Sequence, residues 1–145
     1  MLRTSWPRSP EPRLHWLRSH DKYRTEARTT LGRAVRSLKD PGNPARTYEA
    51  DDQAKDMTGY VPNGDVHANS GIPNHAFYLA ARALGGHSWE RAGRIWYEAL
   101  HNIGARAGFT DAAAATTAAA ATLFGDTSAE RRAVAAAWRK VKVLT

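Results

Sequence analysis

The fold of this chain is decided by the stretch Gly64-Asp65-Val66-His67-Ala68-Asn69-Ser70-Gly71-Ile72-Pro73-Asn74-His75-Ala76-Phe77-Tyr78. Its first half is dense in Gly, Asp, Asn and Ser, which predicts a tight polar loop that carries one histidine, His67. Its second half predicts a helix from Ile72-Pro73 to the Gly85-Gly86 pair, because proline suits the first turn of a helix and glycine suits its end. We interpret this loop, the helix start and the lone imidazole as a candidate for one half of an active site.

Helical periodicity also appears on both sides of this stretch, and no segment shows the period-2 alternation of a strand. Upstream, a helix is predicted that ends before Pro41 and has the apolar face Leu31, Ala34, Val35 and Leu38. Downstream, the next helix is capped by Ser88 and has the core face Ala92, Ile95, Trp96, Ala99, Leu100 and Ile103.

Two further helices complete the chain. An alanine-rich helix over residues 111–124 is capped by Thr110 and stops at Gly125. The last helix begins with the capping box Thr127-Ser128-Ala129-Glu130 and has the face Val134, Ala137, Trp138 and Val141. Because small side chains let helices approach closely, these segments predict a mainly α fold, a helical bundle.

Composition limits the classes of protein to which the chain can belong. Its 145 residues, 42% of them apolar, suit one ordinary domain with a real core. The absence of cysteine excludes disulfides and thiolate metal sites. No run approaches the ~18 apolar residues of a membrane span. Residues 1–8 lack the apolar region of a secretory signal, so no signal peptide is predicted.

The net charge of +7 is concentrated near the N-terminus. Residues 1–33 hold eight Lys/Arg and three Asp/Glu, whereas residues 34–145 hold thirteen and eleven. We therefore expect residues 1–28 to be a basic, poorly ordered segment and residues 29–145 to be the helical domain. Aromatic and arginine side chains in the basic segment suit stacking on single-stranded nucleic acid, but the segment has no recognisable binding motif, so this partner is not favoured.

His67 and Arg36 can each be interpreted as a structural or solvated residue or as a functional one. A loop histidine is more often structural or solvated than catalytic. Asp65 and Asn69 lie near enough in sequence to orient the His67 imidazole, which would then suit a group that donates a hydrogen bond to a developing oxyanion. Arg36 falls off the apolar face of the first predicted helix, so it is either a solvated residue or a guanidinium directed at a ligand carbonyl or carboxylate.

The remaining histidines do not assemble a zinc site. No two of them form an H-E-x-x-H pair, and we expect His75 and His87 to be structural or surface residues. The polar loop over residues 41–66 is long for a compact domain, which is typical of functional or cation-stabilised loops, so calcium stays a candidate cofactor without a location. Three tryptophans on predicted helices are expected in the core: Trp89, Trp96 and Trp138.

Several ordered motifs carry a family resemblance over residues 31–143. They are Arg36-Ser37-Leu38-Lys39-Asp40-Pro41-Gly42, Met57-Thr58-Gly59-Tyr60-Val61, the run from Val66 to Ala80, Gly85-Gly86, residues 92–100, Leu123-Phe124-Gly125 and residues 133–138. In order and spacing the chain resembles the C-terminal domain of the thermolysin-type (M4) neutral metallopeptidases.

The resemblance implies a helical domain that forms one wall of an active-site cleft, opposite an N-terminal domain. It implies zinc as the cofactor and a peptide or protein as the substrate. The zinc ligands would come from an H-E-x-x-H helix and a downstream glutamate, both upstream of the matched region. The histidine that stabilises the tetrahedral intermediate falls on His67. The arginine that contacts the substrate carbonyl falls on Arg36.

The chain also departs from the family pattern. It contains no H-E-x-x-H motif. The family commonly has an aspartate that orients the histidine, and Pro62 stands in its place, with Asp65 as a weaker substitute. Residues 1–28 do not resemble the family segment expected there, which suggests a shifted reading frame or a mis-assigned start.

These features predict the active-site wall of a thermolysin-like zinc metalloendopeptidase that has little or no activity without a separate H-E-x-x-H domain. The alternative is a non-catalytic remnant or a protein-binding helical module. By resemblance the protein would be secreted, and no membrane partner is expected.

Overall fold

Helices dominate the part of the chain that the structure describes, which comprises Ala34, residues 36–48 and residues 50–145 of a computed structural model. In chain order they are α1 (Val66–Asn69), α2 (Gly71–Leu84), α3 (Ala92–Leu100), α4 (Phe109–Phe124) and α5 (Ala129–Lys140), with a 3-10 turn at Met57–Gly59 before α1. Within those ranges no strand exceeds a single bridged residue, which confirms the predicted mainly α fold. None of these helices is long and apolar enough to cross a membrane.

All of these elements belong to one compact unit, Arg36–Thr145. The preceding residues form a second unit, of which Ala34 alone is described. The basic segment predicted over residues 1–28 therefore lies outside the described residues, and its boundary with the helical domain stays a prediction.

The core lies where α5 packs against α2 and α4. Trp138 of α5 is fully buried, and its indole Nε1 donates a hydrogen bond of 2.8 Å to the Thr116 hydroxyl of α4. Trp96 of α3 stacks on the same indole with ring centroids 6.4 Å apart. Alanines occupy most of the other buried positions of α4, so its backbone lies close to its neighbours. The buried faces of α2 and α5 thus form one core.

The ends of the helices confirm some predicted caps and contradict others. The predicted glycine ends of α2 and α4 are observed at Gly85 and Gly125. The predicted capping box puts Thr127 at the N-cap of α5, but Ser128 is the cap, and its hydroxyl accepts a hydrogen bond from the Arg131 amide. Thr110 does not cap α4, because the Asp111 carboxylate accepts a hydrogen bond from the Gly108 amide and the helix begins at Phe109. Ser88 does not cap α3 either: its carbonyl accepts from an amide five residues later, in a wide turn that delays the helix to Ala92.

The helix predicted before Pro41 is absent from its described residues. Ala34 is a single bridged residue, and residues 36–40 form an irregular segment with bends. The Asp40 amide donates to the Ser37 hydroxyl, and the Leu38 carbonyl accepts from the His75 imidazole. Side chains therefore take the backbone groups that a helix would pair internally. Of the predicted apolar face, Ala34 and Leu38 are described and both are exposed, whereas Leu31 and Val35 lie outside the described residues.

Two predicted core residues prove to be exposed. Trp89 is 68% exposed because it lies in the turn before α3, where it stacks on the His87 imidazole at 4.4 Å. Leu100 is 66% exposed because it ends α3. Of the other two tryptophans assigned to the core, Trp138 is buried and Trp96 is partly buried.

The chain beyond α5 closes against the loop that precedes α1. The Met57 amide donates to the Val141 carbonyl at 3.0 Å. The Lys142 ammonium lies 3.0 Å from an Asp56 carboxylate oxygen, and the Thr58 hydroxyl and amide both donate to the other oxygen. The Thr58 hydroxyl, ahead of Lys142, lowers the pKa of Asp56 from 3.8 to about 2, although partial burial opposes the shift.

We expect Asp56→Asn to reduce stability only where the native carboxylate is ionised. Because the pKa of Asp56 is lower in the folded chain, its contribution is complete above about pH 4 and is lost as the pH falls towards 2. Urea unfolding of both proteins between pH 2 and pH 7, followed by circular dichroism, measures the difference. Asp52→Asn, at an exposed carboxylate, controls for the loss of a charge. A difference that stays constant across this range would contradict the assignment.

We expect Trp138→Ala to lower the free energy of unfolding by about 3–5 kcal/mol, because it empties the centre of the core. The matched control is Trp89→Ala, at a side chain that is 68% exposed, which should change stability by less than about 0.5 kcal/mol. Far-ultraviolet circular dichroism in urea measures both without relying on tryptophan fluorescence. Equal losses for the two variants would place the core elsewhere.

Candidate functional site

His67 is exposed on α1, a single helical turn, rather than in the irregular loop that the sequence predicts. The Asp65 carboxylate caps this turn by accepting a hydrogen bond of 2.9 Å from the His67 amide. Within the described part of the chain the imidazole of His67 makes no hydrogen bond. Its side chain is therefore accessible to a ligand.

The backbone of the His67 turn is fixed from behind by residues of the polar loop. The Gln53 side chain, 5% exposed, donates from its amide nitrogen to the His67 carbonyl at 3.2 Å and to the Ser70 hydroxyl at 3.1 Å. The Ser70 hydroxyl itself donates to the same carbonyl at 2.8 Å. The Ala54 amide donates to the Ala68 carbonyl at 2.9 Å. The turn thus presents its imidazole outward while its carbonyls face the loop.

Asn69 ties the other end of the same turn to Val61. Its side-chain oxygen accepts from the Val61 amide at 3.1 Å, and its side-chain nitrogen donates to the Val61 carbonyl at 2.9 Å. This two-way pairing closes the short turn that contains Pro62 and Asn63. The residue that stands in place of the family aspartate is therefore part of a structural turn. Asn69, 8% exposed, supports the backbone rather than the imidazole.

Gly71 is required at the junction between α1 and α2. A Cβ atom at this position would lie 2.4 Å from the Ala54 carbonyl oxygen and 2.9 Å from the Gln53 Cβ. Contacts that short do not occur between real atoms, so only glycine allows the loop to approach the helix here. The polar loop and the His67 turn therefore depend on the same close contact at Gly71.

Asp65, the weaker candidate for orienting His67, holds the backbone of that residue. Its observed partner is the His67 amide, not the ring. Its role in orienting the imidazole stays a prediction.

Arg36 is exposed on the irregular segment before Pro41. Two residues later, the Leu38 carbonyl accepts a hydrogen bond of 2.9 Å from His75 Nδ1 in α2. No direct contact joins Arg36 and His67 among the described residues. The observed connection between them runs from Leu38 through His75 to α2, the helix that follows the His67 turn.

A shallow depression of about 370 Å³ lies beside the His67 turn. Tyr60 and Phe109 meet edge to face across it with centroids 5.9 Å apart, and Val66, 73% exposed, lines it as well. The sequence does not predict the contribution of Phe109, because no local pattern joins the start of α4 to the turn before α1.

The described residues contain no group of three His, Cys, Asp or Glu side chains that fits a metal ion. Two acids in and next to the polar loop have other partners: Asp40 pairs with Lys55 at 2.9 Å and Arg46 at 3.4 Å, and Asp51 accepts from the Gly42 amide. The hydrogen bond from Lys55, ahead of the other contacts, lowers the pKa of Asp40. Neither zinc nor calcium is assigned a site here.

We expect Gly71→Ala to lower the free energy of unfolding by about 1–3 kcal/mol, because the added methyl group overlaps the Ala54 carbonyl. Gly104→Ala is the matched control, since nothing lies within 4 Å of a Cβ there. It should leave stability unchanged or slightly raised. Urea unfolding compares the two variants. Equal stabilities would show that the loop does not pack on the turn as described.

Comparison with known proteins gives the chain its family. The family model described as "Thermolysin metallopeptidase, alpha-helical domain" matches residues 16–143. The chain is 55% identical over 75 residues to the "Extracellular metalloprotease" of Pectobacterium carotovorum subsp. carotovorum, covering 48% of this chain and 22% of that protein. It is 38% identical over 136 residues to the "Bacillolysin" of Brevibacillus brevis, covering 88% of this chain and 25% of that protein.

Among solved structures, the "Precursor of Protealysin, Metalloproteinase from Serratia proteamaculans" is similar with a TM-score of 0.63 and 40% sequence identity. The likeness covers 76% of this chain and 36% of that chain. The chain spans about a quarter of the length of the two curated relatives from Pectobacterium and Brevibacillus. Because the family model matches most of the chain, the chain belongs to the α-helical, C-terminal domain family of the thermolysin metallopeptidases.

Proposed function

We propose that Arg36–Thr145 forms one wall of the active site of a thermolysin-like zinc metalloendopeptidase. The observation that supports this most directly is the His67 turn, which has an exposed imidazole on a backbone held by Gln53 and Ser70. A group that stabilises a transition state must already be in place before the charge develops. The His67 turn meets that requirement, because hydrogen bonds hold its backbone while the His67 side chain is exposed.

His67 would act on the oxygen of the scissile carbonyl. When a nucleophile adds to the carbonyl carbon of a peptide, the carbon becomes tetrahedral and its oxygen gains negative charge. A ring N–H of His67 can donate a hydrogen bond to that oxygen, and the bond is stronger to the charged oxygen than to the neutral carbonyl. This difference is what would lower the barrier to hydrolysis.

Arg36 would bind a carbonyl of the peptide. Its guanidinium stays charged at any pH used for proteolysis and presents several donors in one plane. Because a substrate carbonyl changes little outside the scissile bond, this contact would orient the peptide and strengthen its binding in the ground state as well as the transition state.

Zinc and the attacking water would need another source. The printed sequence has no H-E-x-x-H motif, and the described side chains do not group around a metal ion. We assign the metal and the nucleophile to a domain of the kind that the longer relatives include. By itself, the 145-residue chain with added zinc should not hydrolyse casein. We also propose that this protein is secreted, because a relative is named an extracellular metalloprotease.

A protein-binding module without catalysis is the second candidate. It is favoured by the apolar side chains that are exposed beside the His67 turn: Tyr60, Val61 and Val66 are 39%, 56% and 73% exposed. In this case a partner protein would cover the depression between α1 and α4, and His67 would play no part in chemistry.

The two functions separate when the chain is combined with the zinc-bearing domain of a homologous peptidase, either mixed or fused upstream. We expect hydrolysis of a fluorogenic peptide, and His67→Ala should lower kcat by roughly 10²–10³-fold, the usual effect of removing one donor to a developing oxyanion. Arg36→Leu should mainly raise KM. His101→Ala, at an exposed histidine that contacts Tyr97, is the control and should leave both constants unchanged.

Two results would count against the peptidase proposal. One is a folded complex with bound zinc that cleaves no peptide. The other is a His67→Ala variant as active as the parent complex. Stable association without cleavage, weakened by Val66→Asp, would favour the binding module.

A further inference from the structure

We propose that His75 is a positioning residue for Arg36. The proposal rests on the role given above to Arg36 and extends it to a residue that never touches the substrate. His75 holds the segment that carries the arginine against α2, the helix that continues from the His67 turn.

The contact is specific in its chemistry. His75 Nδ1 lies 2.9 Å from the Leu38 carbonyl oxygen, and a carbonyl can only accept a hydrogen bond, so Nδ1 carries the hydrogen. His75 is 8% exposed, and its ring lies nearly parallel to the Tyr78 ring, with centroids 6.1 Å apart. Burial and stacking together restrict the ring to the orientation in which it reaches Leu38.

The position of His75 on α2 would otherwise favour an apolar residue. It shares the buried face of the helix with Ile72, Ala76 and Ala80. A buried imidazole is costly unless its polar atoms are paired, whereas leucine would add to the core at no such cost. The hydrogen bond to Leu38, 37 residues away in sequence, accounts for a histidine here.

The Leu38 carbonyl is the point nearest to Arg36 at which the segment is bonded to α2. The next fixed point is Asp40, which pairs with Lys55 and Arg46. Without the His75 bond, the segment would keep its contacts with Asp40, whose amide donates to the Ser37 hydroxyl, but would lose its tie to α2. The guanidinium would then sample a larger volume relative to α2. His75 therefore reduces the entropy that Arg36 loses when it binds a peptide.

The test compares two substitutions of His75 in the full 145-residue chain. His75→Leu fills the site but removes the donor, whereas His75→Asn retains a side-chain N–H near the position of Nδ1. His101→Leu is the control, at an exposed histidine outside this contact. Amide hydrogen exchange and ¹⁵N relaxation by NMR report on residues 36–40, and a long-range ¹H–¹⁵N spectrum of the parent should show hydrogen on His75 Nδ1.

In His75→Leu we expect exchange of the Asp40 amide to rise roughly twofold to tenfold, the loss expected for one net hydrogen bond, with increased motion at Arg36. His75→Asn should restore most of the protection, and His101→Leu should match the parent. Unchanged exchange in His75→Leu would overturn the proposal. Equal loosening in the leucine and asparagine variants would also overturn it, because packing alone would then explain the effect.

A kinetic arm separates this proposal from the function on which it rests. In the complex with a zinc-bearing domain, His75→Leu should raise KM roughly twofold to tenfold with little change in kcat, and should add nothing in an Arg36→Leu background. If Arg36→Leu leaves hydrolysis unchanged while His75→Leu still loosens residues 36–40, the proposed role of Arg36 fails and the anchor stands. If His75→Leu raises KM equally in both backgrounds, positioning of Arg36 is excluded.

Discussion

The carbonyl of His67 is the acceptor on which the arrangement of the candidate site depends. Gln53 and Ser70 both donate to it, and the neighbouring Ala68 carbonyl accepts from Ala54. A single helical turn has almost no stability of its own, since it fixes several dihedral angles for very few internal bonds. These contacts provide the hydrogen bonds that the backbone of a longer helix would make internally. They therefore hold an exposed histidine on a rigid backbone.

The same contacts hold the described part of the long polar loop against the His67 turn. Asp51 and Asp56 of the loop accept hydrogen bonds from backbone amides, Asp56 also pairs with Lys142, and Gly71 lets the loop backbone approach α2 within normal packing distance. The loop therefore uses these two carboxylates for structure. That leaves His67 and Arg36, both exposed, as the groups from which the proposed chemistry is built.

The parts of the fold that could be predicted are those governed by local rules. Periodicity predicts α2, α4 and α5, glycine marks the ends of α2 and α4, and the predicted buried face of α5 around Trp138 is confirmed. The helix predicted before Pro41 is wrong because a distant side chain bonds to its backbone. Leu38 has a helical apolar spacing, but its carbonyl accepts a hydrogen bond from His75 instead. Spacing alone also left His67 as a plausible structural residue. The ordered motifs around it, rather than its periodicity, suggested a catalytic role.

The three histidines near α2 show how surroundings divide one residue type among different tasks. His75 is buried and pairs with a carbonyl, so its ring can support structure but cannot reach a substrate. His87 is exposed but stacks face to face on Trp89, which covers one side of its ring. His67 is exposed, and its bonds within the described residues involve only its backbone. Of the three, it alone combines a fixed backbone with a free ring, which is the combination that hydrogen bonding to a transient oxyanion requires.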